Sequence, residues 1–543
     1  MDFHFASAWE IVADKYPNRI ATISDDKPLS WKEFERRASC IASLLEEHGL
    51  GADSKAGLYL HNCSEYQEAQ FGIFKVGGCP INVNYRYKSD ELVYLLENSD
   101  AEAVFFQSCY AMRIWEIRER LPKVKLFVQI DDGTESLLKG AVDYERAIRT
   151  HQPLPRRIQN PEGVYMLYTG GTTGMPKGVM YPVGQFAQFF LAMGAEGRGI
   201  QPPENLAAYS DFLEQIDEPP ISLPACPLMH GTGVWLGSVA PMLLGGTVVT
   251  TSKLGLNPDK LLTMIEDHKV TDLVIVGDAF ARPILGALDE AEKRGTPYRI
   301  ESLKQIASSG VMWSTEIKQG LLRHHDMVLA DVMGSTEGGM GSSVMTREAA
   351  ASTAKFELNE GVAVITDDDR MVEPGSGEMG KIATSAFVPL GYYKDPEKSA
   401  ATFREVNGVR YSFPGDYATV EADGSITLLG RGSVCINTAG EKVFPEEVEE
   451  AVKRHESVED CLVVGLPDER FGERVVAVAS IYENAKVSPD DVMEFTAEHL
   501  AGYKQPRQVL FVEQVRRAPN GKADYKWAKG VAEKGVSEQA VAQ

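Results

Sequence analysis

Residues 168–178 read YTGGTTGMPKG, a stretch in which three glycines and three threonines are followed by Met175, Pro176 and Lys177. Glycine lets the backbone approach a ligand closely, threonine hydroxyls donate hydrogen bonds, and lysine adds a mobile positive charge. Together these groups suit a polyphosphate. The stretch therefore predicts a phosphate-binding loop, and the alternative interpretation is a flexible surface turn.

The residues on either side predict how this loop is connected. GVYML (163–167) is an apolar and aromatic run of strand type, and VMYPVGQFAQFFLAM (179–193) becomes helical in pattern beyond Pro182. We therefore expect the loop to join a strand to a helix. A Walker A loop needs Ser or Thr after its lysine, whereas Lys177 is followed by Gly178, and a Rossmann loop needs G-x-G-x-x-G. Neither of these phosphate loops fits.

Length and charge limit the kind of partner. A chain of 543 residues is too long for one core, so we expect at least two domains. The net charge of −23 argues against nucleic acid or an anionic membrane surface as the main partner. Because the chain as a whole is acidic, a polyphosphate ligand would have to be bound by basic residues close to its site.

The cysteines and the apolar stretches indicate the compartment. The seven cysteines are scattered without a C-x-x-C pair, which predicts neither a disulfide framework nor a zinc site. Residues 1–19 contain acids and no long apolar core, unlike a secretory signal. The most apolar long stretch, residues 234–249, is too short and too rich in Gly and Pro to span a bilayer. We expect a soluble cytoplasmic protein with no transmembrane segment.

The order of apolar runs predicts an α/β fold. KAGLYL (55–60), AEAVFF (101–106) and residues 272–276 are strand-like runs separated by amphipathic helical segments, the pattern of βαβ units on a mainly parallel sheet flanked by helices. Residues 194–220 are rich in Gly, Pro and acids and predict an irregular surface insertion. From residue 361 to 429 strand signals dominate, which predicts a β-rich subdomain.

Beyond Arg431 the pattern changes to a compact α+β arrangement. PEEVEEAVKRH (445–455) is helical, CLVVGL (461–466) is strand-like, and Ser488 caps another helix. We therefore predict a large N-terminal domain over residues 1–431 and a small C-terminal domain over residues 432–543. A basic tail follows, which is either a solvated charged face or a phosphate-binding surface. Lys522 is placed on a glycine-containing turn, free to reach into a cleft.

Six motifs together resemble the adenylate-forming superfamily of AMP-forming acyl-CoA synthetases, luciferases and peptide-synthetase adenylation domains. In the family's order they are YTGGTTGMPKG (168–178), LPACPLMHGTG (223–233), DVMGSTEGG (331–339), YSFPGDYA (411–418), LGRGSVCINTAGEKVFPEEVEE (429–450) and PNGK (519–522). The resemblance covers nearly the whole chain. It implies ATP, Mg²⁺ and coenzyme A as ligands.

The resemblance also implies a role for each matching residue. Lys522 would bridge the acid's carboxylate and the α-phosphate, Glu337 beside Thr336 would bind Mg²⁺, and Lys177 would hold the departing phosphates. Asp416 would accept from the ribose hydroxyls, and Asp331 would contact the adenine amino group. The other implied ATP- or AMP-binding residues are Thr169, Gly170, Gly171, Thr172, Thr173, Gly174, Ser309, Gly310, Val311, Met333, Gly334, Ser335 and Arg431.

In the family that the chain resembles, the small C-terminal domain swings from one position to another between the two half-reactions. Ser433 would lie at the hinge, and Gly440 and Glu441 would lie along the tunnel for the pantetheine of coenzyme A, where a side chain on Gly440 would block passage. The family usually has an aromatic residue in place of Met333 and Asp or Lys in place of Ser433. The chain departs from the pattern at both positions.

The apolar stretch after His230 predicts either a wall of an acyl pocket or buried core. It contains Gly231 and Trp235 among small residues spaced along a helix, which suits a hydrophobic acid of fatty, steroid-side-chain or arylalkanoic type. Because no carrier-protein segment follows the C-terminal domain, we expect coenzyme A as the acceptor, and we expect a possible homodimer.

Three alternatives stay open from the sequence. A luciferase-like enzyme shares the fold and the first step, and a fatty-acyl-AMP ligase passes the acyl group to a carrier protein. A non-catalytic nucleotide sensor would bind ATP without turnover. GSTEG (334–338) is similar to a nucleophile elbow, but Thr336 stands where a hydrolase has serine, so we exclude a hydrolase.

Overall fold

The computed structural model describes residues 3–169, 175–349, 353–438, 441–468, 472–483, 485–518 and 521–541. In chain order its α-helices are α1 (Phe5–Lys15), α2 (Trp31–Glu47), α3 (Ser64–Lys75), α4 (Ser89–Asn98), α5 (Ala111–Ile117), α6 (Tyr144–Thr150), α7 (Val183–Glu196), α8 (Tyr209–Glu214), α9 (Ala240–Leu243), α10 (Pro258–His268), α11 (Gly277–Lys293), α12 (Thr315–His324), α13 (Pro396–Thr402), α14 (Pro445–Lys453), α15 (Pro489–Ala497) and α16 (Tyr525–Val541).

The strands form four sheets. In chain order they are β1 (Ile20–Ser24), β2 (Lys27–Ser30), β3 (Lys55–Tyr59), β4 (Cys79–Asn82), β5 (Ala101–Gln107), β6 (Leu126–Ile130), β7 (Val142–Asp143), β8 (Val164–Thr169), β9 (Lys177–Pro182), β10 (Ile221–Pro224), β11 (Thr247–Thr250), β12 (Asp272–Ile275), β13 (Gln305–Ser309), β14 (Val328–Ser335), β15 (Gly338–Met345), β16 (Lys355–Leu358), β17 (Val362–Ile365), β18 (Met379–Thr384), β19 (Gly391–Tyr392), β20 (Phe403–Val406), β21 (Val409–Ser412), β22 (Asp416–Val420), β23 (Ile426–Arg431), β24 (Ile436–Thr438), β25 (Glu441–Val443), β26 (Val458–Asp468), β27 (Gly472–Ile481) and β28 (Gln508–Val512).

Two of the sheets contain the predicted parallel strands. One has the order β4-β3-β5-β6-β7 and is parallel throughout, and the other begins with β2 and continues through the parallel strands β1-β11-β10-β12-β13-β14. The strands β5 and β12 are apolar and almost entirely buried, as expected when helices cover both faces of a parallel sheet. The α/β fold class predicted from the alternating runs is confirmed.

The predicted β-rich segment continues this second sheet. After β14 the neighbours turn antiparallel, in the order β15-β16-β23-β22-β18-β21-β20, so that fourteen strands form one path and β17, attached to β18, is the fifteenth strand of the sheet. The antiparallel part has its own hydrophobic core, which includes Phe356, Ile382 and Ile426. Since β14 and β15 are adjacent, their connecting turn lies where the parallel and antiparallel parts meet.

The C-terminal segment forms a separate five-stranded sheet. β26 and β27 pair over their whole length, β28 joins parallel to β27, and helices α14, α15 and α16 pack on this sheet. The α+β pattern predicted beyond Arg431 is confirmed, including the Ser488 cap, whose hydroxyl oxygen accepts from Asp491 N. A short 3₁₀ turn at residues 432–434 lies between β23 of the fifteen-stranded sheet and β24 of the C-terminal sheet. The division between residues 431 and 432 stays a prediction.

Two local expectations were wrong. The phosphate-loop candidate joins two antiparallel strands, β8 and β9, and the helix α7 begins only after Pro182. The apolar run after Gly178 is a strand in its own right, because Val179 and Tyr181 alternate toward the buried face. Residues 194–220 are not merely an irregular surface insertion, since α8 buries Tyr209 completely in the main core.

Within the part of the chain that the structure describes, no helix has both the length and the apolar character needed to cross a bilayer.

Candidate active site

The β8–β9 hairpin presents the glycine- and threonine-rich loop. Thr169 and Lys177 are opposite each other at the loop end of the hairpin, and Gly170, Gly171, Thr172, Thr173 and Gly174 lie outside the described residues. Lys177 Nζ lies 3.1 Å from Asp395 Oδ2 and 5.3 Å from the centre of the Tyr392 ring. About a third of the Lys177 side chain is exposed, so its ammonium group is accessible to an anion at the mouth of the loop.

The β14–β15 turn carries Thr336 and Glu337, and two tyrosines hold it. The Tyr181 hydroxyl on β9 donates to the carbonyl oxygen of Thr336 at 2.8 Å, and the Tyr392 hydroxyl donates to Glu337 Oε1 at 2.9 Å. The Ser335 hydroxyl oxygen accepts from Glu337 N at 3.1 Å. Three hydrogen bonds therefore hold this turn, and one of them, from Tyr392, orients the half-buried Glu337 carboxylate.

Strand β14 also carries Asp331, which forms a buried ion pair with Lys318 on α12. The Lys318 ammonium group lies 3.0 Å from Asp331 Oδ2, and both side chains are less than a tenth exposed. Burial raises the pKa of Asp331 to about 6 and the charge of Lys318 opposes this rise. Sequence reasoning missed Lys318, although a lysine between the buried Ile317 and Leu321 on an amphipathic helix is the signal that could have found it.

Met333 is placed differently from its neighbours. Its side chain is buried and packs in the core of the antiparallel part of the sheet, with Met340 and Phe356. A Cβ at Gly341 would lie 3.2 Å from the Met333 methyl carbon. This geometry gives no support for a contact between the thioether and adenine, and the assignment of Met333 stays a prediction. Gly334 follows as part of an irregular step in the strand pairing.

Asp416 and Arg431 face each other on the paired strands β22 and β23. Arg431 Nε lies 3.4 Å from Asp416 Oδ1, and Asp416 is 8% exposed. Its second oxygen, Oδ2, is buried and accepts no hydrogen bond from the described residues. Burial raises the pKa of Asp416, and Arg431 opposes the rise. A buried acceptor without a donor is costly, so this oxygen is suited to a hydroxyl group from a ligand.

Lys522 of the C-terminal domain lies over the turn after β13. Its Cε is 4.0 Å from the position that a Cβ at Gly310 would take, and Thr232 Oγ1 is 3.8 Å from the same position. Gly310 has φ of +94°, which a residue with a side chain rarely adopts, and it stands between the buried Ser309 and the half-buried Val311. The predicted residues of both domains are thus brought to one place.

The surroundings of Lys522 contain charges of both signs. Burial lowers its pKa, as does the charge of Arg431, whereas Glu337 and Asp416 act in the opposite direction. The side chain keeps an exposed surface, although protein surrounds it on most sides. An ammonium group in this position can neutralise two anions that are brought together.

His230 lies beside this group at the start of an apolar segment. Burial lowers its pKa to about 3, and the nearby charge of Lys522 adds to the effect. The imidazole is therefore neutral at physiological pH. Its Nε2 is buried without a hydrogen-bond partner among the described residues. The segment that follows is not the regular helix expected, because residues 232–239 form a π-helix, a geometry frequent at functional sites.

An aromatic cluster joins the π-helix to the β8–β9 hairpin, to α7 and to the segment before β19. A Cβ at Gly231 would lie 3.1 Å from the Trp235 ring, and Trp235 Nε1 donates to the Tyr165 hydroxyl at 2.9 Å. Phe387 stacks on Tyr181 at 5.0 Å between ring centres. The cluster consists of Tyr165, Tyr181, Phe186, Phe189, Phe190, Trp235 and Phe387. Trp235, Phe189 and Phe387 are only half-buried, so they supply the accessible face.

The hinge residues are only partly described. Ser433 lies in the 3₁₀ turn between the large sheets, Glu441 begins β25 and is exposed, and Gly440 lies outside the described residues. A Cβ at Gly430 would overlap Glu446 Oε2, so the end of β23 packs directly against α14. Glycine is required there by close approach and by its φ of +131°.

A cleft of about 1130 Å³ lies between the two domains, and its lining includes Gly521, the residue before Lys522. Its described lining contains eight Lys or Arg and three Asp or Glu, which contrasts with the net charge of the chain. The basic residues are Arg86, Arg113, Lys253, Lys260, Arg282, Lys453, Arg516 and Arg517. The cleft is therefore an anion-attracting region next to Lys522.

Comparisons with known proteins agree with this geometry. The model of the AMP-binding enzyme family matches residues 9–393, and the model of the AMP-binding enzyme C-terminal domain matches residues 447–522. A 3-oxocholest-4-en-26-oate–CoA ligase of Rhodococcus rhodochrous is 39% identical, over 97% of this chain and 96% of the relative. A medium/long-chain-fatty-acid–CoA/3-oxocholest-4-en-26-oate–CoA ligase of Mycolicibacterium smegmatis is 38% identical, over 99% and 98%.

The solved structures show the same fold at lower identity. The anthranilate CoA ligase AuaEII in complex with anthranoyl-AMP superimposes with a TM-score of 0.84 at 20% identity, covering 98% of both chains. The match spans both domains. With the fold, the family models and relatives of nearly equal length in agreement, the chain belongs to the AMP-binding enzyme family.

Proposed function

We propose that this protein is an AMP-forming acid–thiol ligase, which activates a hydrophobic carboxylic acid with ATP and transfers the acyl group to coenzyme A. The observation that carries the proposal is the position of Lys522 over Gly310, with Asp416, Arg431 and Glu337 close enough to affect its pKa. This arrangement is suited to bringing a carboxylate against the α-phosphate of ATP. The named activities of the full-length relatives support it.

The nucleotide has a complementary group for each of its parts. We assign the β- and γ-phosphates to the residue 169–174 loop and Lys177, and the ribose hydroxyls to the unpaired Oδ2 of Asp416. The adenine end is assigned to Asp331, which Lys318 keeps ionised, and to the turn at residues 309–311. Since the phosphates that leave and the nucleoside that stays are held by different residues, the predicted products are pyrophosphate and AMP.

In the first step a carboxylate oxygen of the acid attacks the α-phosphorus. The new P–O bond forms as the bond to the β-phosphate breaks, and the electron pair leaves with pyrophosphate. Lys522 neutralises the two anions that must approach each other, and Lys177 neutralises charge on the leaving group. Positioning and charge compensation supply most of the catalysis in such a transfer.

The residues also fit a magnesium ion that arrives with ATP. Mg²⁺ in such sites is bound by one or two carboxylates together with substrate phosphates and waters. Glu337 offers one half-buried carboxylate, and among the described residues no group of three His, Cys, Asp or Glu forms an all-protein cage. When bound, the ion neutralises phosphate charge. Tyr392 orients the Glu337 carboxylate through its hydroxyl.

In the second step the thiol of coenzyme A attacks the acyl carbonyl carbon. A C–S bond forms, the C–O bond to AMP breaks, and the thiol proton is released. Lys522 has no further role once the acyl adenylate exists, and its domain covers the site. We therefore propose that the C-terminal domain swings about the turn at Ser433, and that Gly440 and Glu441 then line the path of the pantetheine.

The aromatic cluster is the proposed acyl site. Tyr181 belongs to the cluster, and its hydroxyl donates to the carbonyl oxygen of Thr336. Because the next residue, Glu337, is the proposed magnesium ligand, the apolar cluster lies next to the proposed metal site. Neutral His230 adds a wall that carries no charge. The relatives' named substrates, a steroid-side-chain acid and medium- or long-chain fatty acids, support a large apolar acid.

A panel of acids tests the function directly. The protein is incubated with ATP, Mg²⁺ and each acid, with and without coenzyme A, and pyrophosphate, AMP and acyl-CoA are measured. With coenzyme A we expect pyrophosphate, AMP and acyl-CoA in equal amounts, and without it we expect pyrophosphate and acyl adenylate but no acyl-CoA. ADP and phosphate as products, or adenylate that never yields thioester, would contradict the proposal. The homodimer and the cytoplasmic location stay predictions, and gel filtration tests the first.

A further inference from the structure

One hydrogen bond joins a cation of the N-terminal domain to the C-terminal sheet. Arg282 Nη1 on α11 donates to the Tyr482 hydroxyl at 2.8 Å. Tyr482 follows directly after β27 and is 38% exposed, and its backbone N donates to the carbonyl oxygen of Ser457. The contact therefore connects two rigid elements that belong to different domains.

The same arginine is fixed on its own domain. Its Nη2 lies 3.2 Å from Asp278 Oδ2, one helical turn earlier, while Asp278 Oδ1 accepts from Ser314 N at 2.9 Å. Three quarters of the Arg282 side chain is removed from solvent. Arg282 is thus held in place whether or not Tyr482 is present, which makes its other nitrogen a preformed donor for the partner domain.

The first turns of α11 also support the turn that carries Lys522. A Cβ at Gly521 would lie 3.0 Å from Ala279 Cβ and 3.3 Å from Val276 Cγ1. The glycine, with φ of +72°, therefore allows the Lys522 turn to lie directly on this helix. Residues 276–282 form a docking platform with two contacts, one under Lys522 and one at Tyr482.

We propose that Arg282 and Tyr482 act as a latch that holds the C-terminal domain in the position for adenylate formation. The latch rests on the proposed function, since it has a purpose only if the domain moves between the two half-reactions. Because Tyr482 and Lys522 belong to one domain, a swing that withdraws Lys522 from Gly310 also separates Tyr482 from Arg282. The latch then stabilises one domain position and not the other.

The test is Tyr482→Phe, which removes only the hydroxyl. Two rates are measured for each enzyme: pyrophosphate release from acid and ATP, and thioester formation from supplied acyl adenylate and coenzyme A. Removing a hydrogen bond to a charged group shifts the balance between the two positions, so we expect the ratio of the first rate to the second to fall about five- to tenfold. A ratio equal to that of the unmodified enzyme overturns the latch.

Two further variants separate the latch from general damage. Tyr503→Phe is a matched control, because Tyr503 has the same 38% exposure and its hydroxyl makes no hydrogen bond to the described N-terminal residues; its ratio should be unchanged. Arg282→Met should lower the ratio as Tyr482→Phe does, and the double variant should lower it no further. Additive effects would mean that the two residues act independently and would overturn the proposal.

The outcome also distinguishes the latch from the function on which it rests. If the unmodified enzyme carries out both half-reactions and the ratio is unaffected by Tyr482→Phe, the latch is wrong and the ligase assignment stands. If the unmodified enzyme forms no acyl adenylate from any acid, the ligase assignment fails first, and the latch fails with it.

Discussion

Arg517 and Asp460 form a two-pronged ion pair in which Nε and Nη2 of the arginine lie 2.6 and 2.7 Å from the two carboxylate oxygens. The remaining nitrogen, Nη1, donates to the carbonyl oxygen of Gly521 at 3.2 Å. The arginine thus connects β26 to the residue immediately before Lys522. The position of the ammonium group that we propose for adenylate formation therefore depends on the guanidinium group of Arg517.

Arg517→Lys should impair adenylate formation more than thioester formation. Lysine keeps the charge but cannot bind Asp460 with two nitrogens and Gly521 with a third. We expect pyrophosphate release to fall about tenfold, because even a small displacement of Lys522 weakens its contacts with the reacting groups in the transition state. Rates of both half-reactions and the melting temperature are measured. A loss of equal size in both half-reactions would assign Arg517 a purely structural role.

The parts of the site that the sequence predicted are those whose chemistry is local. The turn at Thr336 and Glu337 and the lysine at 522 are each indicated by a motif of adjacent residues, and in the structure Glu337 lies close enough to Lys522 to affect its pKa. The α/β order was predictable for the same reason, because each strand and helix has its own period. The hairpin at Lys177 was missed since a strand of six residues next to glycines has little periodicity.

The parts that were missed depend on long-range packing. Lys318 reaches Asp331 from another helix, and Phe387 stacks on Tyr181 from a segment about two hundred residues later. Arg282 on α11 donates to the Tyr482 hydroxyl of the C-terminal segment, 200 residues later in the chain. No pattern within a short window indicates such pairs, so only the folded structure identifies them.

Lys318→Met should destabilise the protein and weaken ATP binding. The substitution leaves the Asp331 carboxylate buried without its partner, a loss of about 3–5 kcal/mol for a buried pair. The pKa of Asp331, already raised to about 6, would rise further. We expect a lower melting temperature and a higher KM for ATP at neutral pH, measured by calorimetry and by steady-state kinetics.

The loss of stability caused by Lys318→Met should depend on pH. A carboxyl group whose folded-state pKa is raised stabilises the fold below its unfolded pKa, and this contribution is lost as the pH rises through the folded value. The free energy of unfolding of the variant should therefore approach that of the unmodified protein at about pH 6 and fall furthest below it at about pH 8. Lys318→Met combined with Asp331→Asn should recover the melting temperature but not the KM for ATP. A deficit that does not change with pH would contradict this account.

His230→Ala should raise the KM for the acid more than it lowers kcat. The imidazole is neutral because burial and Lys522 lower its pKa to about 3, so it has no proton to donate at physiological pH. The pH profile of kcat/KM should consequently keep its shape in the variant between about pH 6 and pH 8. An unchanged KM together with a collapse of kcat would give His230 a chemical role instead.

Apolar acids of medium or larger size should be better substrates than acetate. The half-buried faces of Trp235, Phe189 and Phe387 offer apolar contact that acetate is too small to use. Trp235→Ala should lower kcat/KM for a large acid by about tenfold or more and change acetate less. The acid panel measures both. A higher kcat/KM for acetate than for every larger apolar acid would rule out the aromatic cluster as the acyl site.

The two half-reactions should respond in opposite ways to Lys522→Ala and Gly440→Leu. In the proposed reaction Lys522 is needed only while the carboxylate and the α-phosphate approach each other, so its loss should slow pyrophosphate release by about two orders of magnitude or more. Supplied acyl adenylate and coenzyme A should still give thioester. Gly440→Leu should obstruct the pantetheine, so that adenylate forms and accumulates.

Matched controls exclude a general effect of altering the C-terminal domain. Lys526→Ala removes an exposed lysine from α16, and Gly502→Leu adds a side chain where a Cβ would have no neighbour within 4 Å. Neither should change the ratio of the two half-reactions. If Lys522→Ala and Gly440→Leu each reduce both half-reactions equally, one fixed domain position must serve the whole reaction. The swing of the C-terminal domain would then be wrong, because a single position would have to admit both the lysine and the thiol.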